Sequence, residues 1–149
     1  MRLTLHQPDQ AGNVGTILRL AASLDIPVDI IEPCGFPWSD RSLKRASMDY
    51  AALARIVRHE DWTAFERILA TRLVLLTTRG DVRIDEARFL PDDVLMLGSE
   101  SEGVPAFVHD RAALRVRIPQ VAATRSLNIA VAAGIALGEA LRQTKGWPE

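Results

Sequence analysis

The stretch Val94-Leu-Met-Leu-Gly-Ser-Glu-Ser-Glu-Gly-Val-Pro105 passes from a short apolar run straight into an acidic loop bounded by glycines. An unbroken apolar run of strand length suits a strand buried on both faces of a parallel sheet, where neither side-chain direction meets water. The same pattern recurs on either side. Leu73 to Thr77 (LVLLT) is a second buried run, Arg2 to His6 (RLTLH) alternates as a first strand, and Val28 to Ile31 (VDII) stops at Pro33 and Gly35. Val116 to Ile118 reads as one more strand. Between these lie helical spacings. Asn13 to Leu24 carries Ile17, Leu20, Ala21 and Leu24 on one face, and Leu127 to Gln143 forms a long terminal helix. Asp40 is placed to cap a helix over Arg41 to Ala46, and Asp61 to cap one whose apolar face is Phe65, Ile68 and Leu69. Alternating strands and helices predict an α/β domain over residues 1–149, with a parallel sheet flanked by helices. The residue pattern alone implies an unknotted doubly wound sheet.

Composition bounds the rest. The chain has 149 residues, of which 48% are hydrophobic, enough for one packed domain and too few for two of ordinary size. Eighteen basic against nineteen acidic residues give a net charge of −1. That excludes a uniform positive field, so any nucleic-acid surface must be local. A domain this small has a modest core and often completes itself by dimerising. The N-terminus lacks a signal-like apolar run, and Ile129 to Leu137 is too short to span a bilayer. A soluble protein is expected. The lone Cys34 suits a reducing cytoplasm and reads as a structural thiol. His6, His59 and His109 show no paired ligand spacing, so no metal is expected.

Three loops follow strands, where an open α/β sheet holds its ligands: Gln7 to Gly15, Leu97 to Pro105 and Ile118 to Asn128. Gly12, Gly15 and Glu32 imitate a dinucleotide fingerprint, but Gln10 stands where its first glycine belongs, and no phosphate-loop G-K-[ST] occurs. Taken singly, the polar residues of these loops have ordinary explanations. Asn13 and Asn128 can cap helices, Arg19 can sit on a solvated face, and Glu100 and Glu102 can be surface charges. Their joint order is the informative feature.

Asn13-x-Gly15-x-x-x-Arg19, then Leu97-Gly-Ser-Glu100-x-x-Gly103-Val-Pro105, then Ile118-Pro119 with Ser126-Leu-Asn128 resembles the three motifs of the SPOUT RNA methyltransferases, in their SpoU branch. Ile31-Glu-Pro-x-Gly-Phe-x-Trp38, the stretch from Asp40 to Ala46, and Asp49-Tyr50 are similar to the small single-domain group that methylates the ribose of the tRNA wobble nucleotide. The resemblance implies a C-terminal deep trefoil knot, a rare exception to the rule against threaded loops. It implies S-adenosylmethionine as cofactor, with adenine held by backbone groups at Leu76, Gly98, Ile118 and Ser126. It implies a homodimer whose sites are completed across the interface. It also implies Arg19 as the residue activating the ribose hydroxyl, ordered by Asn13, Glu100 and Asn128. One departure stands out. Ile129-Ala130-Val131 replaces the Leu-Ser-Asn usual in the wobble group and matches sister 2′-O-methyltransferases instead. A non-catalytic RNA-binding dimer, a 2′-O-methyltransferase with a different RNA target and a nucleotide-dependent oxidoreductase are the competing readings. For tRNA, Arg41, Lys44 and Arg45 share a helical face, joined by Arg55, Arg58, Arg79 and Arg125. Trp38 and Tyr50 are candidates for stacking on a base or for core packing.

Overall fold

The computed structural model describes residues 1–39, 41 and 53–149. Seven strands form one sheet in which every pairing is parallel: β1 (Arg2–His6), β2 (Val28–Ile31), β3 (Ile56–His59), β4 (Leu73–Leu76), β5 (Val82–Arg83), β6 (Val94–Leu97) and β7 (Leu114–Arg117). Their order is β3-β2-β1-β6-β4-β7-β5. The strands read as continuous apolar runs, β4 and β6, sit beside one another near the centre and are buried along their whole length. The two strands absent from the sequence reading, β3 and β5, are the two edges. The strand expected at Val116 to Ile118 begins two residues earlier, at Leu114.

Four described helices cover the faces: α1 (Ala11–Ser23), α2 (Trp62–Ile68), α3 (Ala106–Arg111) and α4 (Ile129–Thr144). Strand alternation divides the core in two. Leu3, Leu5, Val28, Ile30, Val74, Leu95 and Leu97 point to one face, where α1 supplies Val14, Ile17, Leu18 and Ala21, and α4 supplies Ala133, Ala136, Leu137 and Ala140. Small residues let α4 approach closely: a Cβ on Gly134 would touch Leu20 of α1 at 3.8 Å. On the other face Ile31, Leu73, Leu75, Val94 and Met96 pack against Phe65 of α2 and Val108 of α3.

Local signals explain the helix ends. Asp61 caps α2 as its position suggests, accepting from the Ala64 amide at 2.7 Å. α1 starts at Ala11, so Asn13 lies inside its first turn, freeing the side chain for another partner. It ends with Asp25 in the left-handed region and the Ile26 amide donating to Ala21 O at 2.8 Å, the geometry of a Schellman stop. The helix expected after Asp40 lies largely outside the described residues, as do Lys44, Arg45 and Tyr50.

Candidate active site

The carboxyl ends of β1, β4, β6 and β7 converge on a cavity of about 450 Å³. Parallel strands place their following loops on one edge, so distant segments meet here. Leu76 ends β4, Gly98 follows β6, and Ile118 follows β7; with Ser126, these four residues line the cavity together. Leu97, Val116, Ile129 and Ala132 add apolar walls. Gly98 cannot be replaced without cost, because a Cβ there would overlap the Gly103 backbone. Ser99 and Gly103 exchange backbone hydrogen bonds at 3.0 and 2.9 Å, closing the loop, with Gly103 at φ +71°. That left-handed conformation is the one glycine adopts without penalty.

Over the cavity runs a directed series of hydrogen bonds. The amides of Ala130 and Val131, at the N-terminus of α4, donate to Asn128 Oδ1 at 2.8 and 3.4 Å. Asn128 Nδ2 donates to Asn13 Oδ1 at 2.8 Å. Asn13 Nδ2 donates to Glu100 Oε1 at 3.0 Å, and the Asp9 amide donates to Glu100 Oε2 at 2.9 Å. Asn128 is therefore a helix cap and a cross-link at once. Glu100, which accepts only when ionised, is the terminus of the series. Asp9 in turn accepts from the amide and hydroxyl of Ser101. Burial, and next the neighbouring Asp9 carboxyl, push Glu100 above the usual carboxylate range; the Glu100 carboxyl beside it and the Ser101 hydroxyl hold Asp9 below that range.

Arg19 stands apart. It lies on the exposed stripe Gly12, Thr16, Arg19 of α1 and is not among the residues lining the cavity. Both Glu100 oxygens accept from Asp9 and Asn13. Of the basic set, Arg41 and Arg125 are exposed. Arg55 pairs with Asp25 at 2.9 Å and Arg58 with Glu32 at 2.5 Å. The Arg58 guanidinium also lies 4.6 Å from the Trp38 ring, which stacks on Phe36. Trp38 is thus half-buried in an intramolecular stack. Glu32, the acidic member of the dinucleotide imitation, is the partner of Arg58. The cavity also has residues the sequence reading did not assign to it: Thr77, Arg79, His109 and Gln120. Arg79 could have been placed there from its position three residues past Leu76 at a strand's carboxyl end; His109 carries no such signal.

A glycine-closed pocket at the carboxyl edge of an all-parallel sheet, apolar on its walls and rimmed by a polar cross-link, defines a small-molecule site of the α/β class. The chain belongs to the SpoU rRNA Methylase family, whose pattern it matches over residues 1–138. It is 50% identical over 144 residues to a tRNA (cytidine(34)-2′-O)-methyltransferase of Beijerinckia indica, covering 95% of this chain and 90% of the relative. It superposes with TM-score 0.92 and 39% identity on a structure solved for insight into the 2-OH methylation of C/U34 on tRNA, covering 97% of this chain and 96% of the other. An AdoMet-bound rRNA methyltransferase from Sinorhizobium meliloti superposes with TM-score 0.83 and 30% identity, covering 95% of this chain and 55% of that one. Among the described residues no helix is long and apolar enough to cross a membrane, and no cluster of His, Cys, Asp and Glu could hold a metal ion.

Proposed function

We propose that the protein methylates the ribose 2′-hydroxyl of the tRNA wobble nucleotide, cytidine or uridine 34, using S-adenosylmethionine in the cytoplasm. The observation that carries this reading is the Asn128–Asn13–Glu100 cross-link, which ties the three motif loops together over the cavity. Near-full-length similarity to proteins named for that reaction supports it.

The cavity fits the cofactor in size and chemistry. Gly98 leaves backbone groups open where a Cβ would intrude, and the backbones at Leu76, Gly98, Ile118 and Ser126 can meet the edges of adenine while apolar neighbours cover its faces. When bound, S-adenosylmethionine supplies an activated methyl group for a ribose oxygen that gives up its proton. The chain's own task is alignment and charge control. Asn13, Glu100 and Asn128 hold the loops in register. Arg19 is assigned to the ribose: its guanidinium hydrogen-bonds the developing alkoxide and orients a neighbouring phosphate, since a guanidinium offers only donors and makes a poor base.

Arg19 reaches a reacting ribose through a homodimer. Val131 and Ile135 of α4 are 51% and 42% exposed beside Leu20 and Gly134, an apolar strip suited to a second copy that completes each site with its own Arg19. A C-terminal trefoil knot is part of the same reading. The segment 118–128 leaves β7 from between β4 and β5, so threading there would bring Ser126 back to the cavity. Arg41, Lys44, Arg45 and Arg125 are assigned to tRNA phosphates.

Incubation with labelled S-adenosylmethionine and bulk tRNA, followed by mapping of 2′-O-methyl nucleotides, tests the reading. Label at position 34 is expected, and no transfer to any tRNA overturns it. Arg19→Ala is expected to abolish transfer while cofactor binding persists.

A further inference from the structure

We propose that Arg79, steadied by His109, is the anchor for the carboxylate of the cofactor's amino-acid tail; this rests on the cofactor reading above. Arg79 is the one arginine or lysine among the described residues lining the cavity. Its position is set by the turn after β4. The Gly80 amide donates to Thr77 O at 3.1 Å, and the Arg79 amide to Thr77 Oγ1 at 3.2 Å. Gly80 lies so close to β7 that a Cβ would come within 2.5 Å of the Arg117 backbone. Arg117 donates to the carbonyls of Gly80 and Asp81 at 2.8 and 3.0 Å, and Arg115 pairs with Asp81. These two cations lock the turn onto the sheet, and Arg79 is carried to the cavity mouth.

There its Nη2 lies 3.2 Å from His109 Nε2. A guanidinium only donates, so His109 accepts through Nε2 and is neutral, with its proton on Nδ1. Its surroundings favour that form: burial, then the charges of Arg79 and Arg115, lower its pKa. The contact uses one of five guanidinium donors and leaves a planar fork of the kind that binds carboxylates bidentately. Glu100 and Glu102 line the same cavity. A site holding both signs suits a tail that carries a carboxylate and an ammonium, with a sulfonium beside them. By sequence Arg79 is a candidate phosphate contact; its place in the cavity wall argues for the smaller ligand.

Calorimetric titration with S-adenosylhomocysteine and with 5′-methylthioadenosine, which lacks the carboxylate, tests the anchor. The wild-type protein is expected to bind both. Arg79→Met is expected to weaken S-adenosylhomocysteine by about tenfold or more, the scale of a lost charge-assisted pair, and to leave 5′-methylthioadenosine unchanged. Arg79→Lys falls between. His109→Leu gives part of the same selective loss, and His109→Gln, which restores an acceptor, recovers it. Equal weakening of both ligands, or of neither, overturns the anchor. So does lowered tRNA affinity with S-adenosylhomocysteine binding intact, which assigns Arg79 to a phosphate. If the wild-type protein binds neither ligand, the cofactor reading itself fails and the anchor falls with it.

Discussion

Asn13 and Glu100, 87 residues apart in the chain, are joined by a 3.0 Å hydrogen bond that is one link in a series running from the N-terminus of α4 to a single carboxylate. Each amide in the series has one orientation, because Glu100 offers only acceptors and the α4 amides only donors. Asn13→Asp places an acceptor against Glu100 and adds a like charge. It is expected to reduce methylation by about a hundredfold, more than Asn13→Ala, because an opposed pair costs more than a missing bond. Steady-state rates on tRNA for the two variants check the order; equal losses would mean the series does not organise the site.

Glu100→Gln probes the other end. Glutamine keeps one acceptor but turns a donor toward either Asn13 or the Asp9 amide, breaking one of the two bonds. A loss of about tenfold in kcat/KM is expected, the worth of one such bond. Thermal stability should fall only modestly: one donor is left facing another, but a charge that burial disfavours is removed.

Gly98 and Gly103 are both loop glycines, yet the structure separates them. A Cβ on Gly98 meets the Gly103 backbone, whereas one on Gly103 meets nothing within 4 Å and suffers only from φ +71°. Gly98→Ala is expected to abolish S-adenosylhomocysteine binding in a titration. Gly103→Asn, which tolerates the left-handed region, is expected to bind within a few fold of wild type.

β4 and β6 declared themselves because burial on both faces leaves no room for polar residues. β3, with Val57 and Arg58 exposed at the sheet edge, has no such constraint and shows no apolar run. β5 has two residues and no period to detect. α3 follows Pro105 directly and runs for six residues, too short for a helical stripe. At the site, the motif residues Asn13, Glu100 and Asn128 were each ambiguous, and only folding brings them into hydrogen-bond contact. His109 was unreadable because its meaning depends on Arg79, thirty residues away across the sheet. Arg19 was readable as a motif member, while its place outside the cavity is a three-dimensional fact.

Cys34 is half-buried, and burial followed by the charge of Glu32 pushes its thiol up to about 11. The thiolate is the nucleophile, so a raised value means less reactive form at neutral pH. At pH 8 iodoacetamide should label Cys34 roughly a hundredfold more slowly than a free thiol of pKa near 8.5. The rate should climb with pH toward the raised value. Rapid labelling at pH 8 that saturates near pH 9 would contradict this environment.

Outside the cavity lining, Asp29 of β2 is 1% exposed, and its carboxylate is shared by two side chains. Arg2 of β1 meets it with Nε and Nη2 at 2.7 and 2.9 Å, and His59 of β3 approaches Oδ1 at 2.7 Å. Three adjacent strands are thereby cross-linked on the face opposite α1 and α4. Asp29→Ala leaves the Arg2 guanidinium and the buried His59 imidazole without their acceptor, at a cost of about 1–3 kcal/mol, less than for a fully buried pair because water reaches Arg2. Asp29→Asn keeps an acceptor and should cost less. Urea unfolding followed by circular dichroism checks both, at a pH where the proteins fold reversibly. Under conditions where Asp29→Asn remains folded, its affinity for S-adenosylhomocysteine should match wild type, because none of Arg2, Asp29 and His59 lines the cavity. A variant with wild-type stability and weakened binding would reverse the assignment, making the triad part of the site and not of the scaffold.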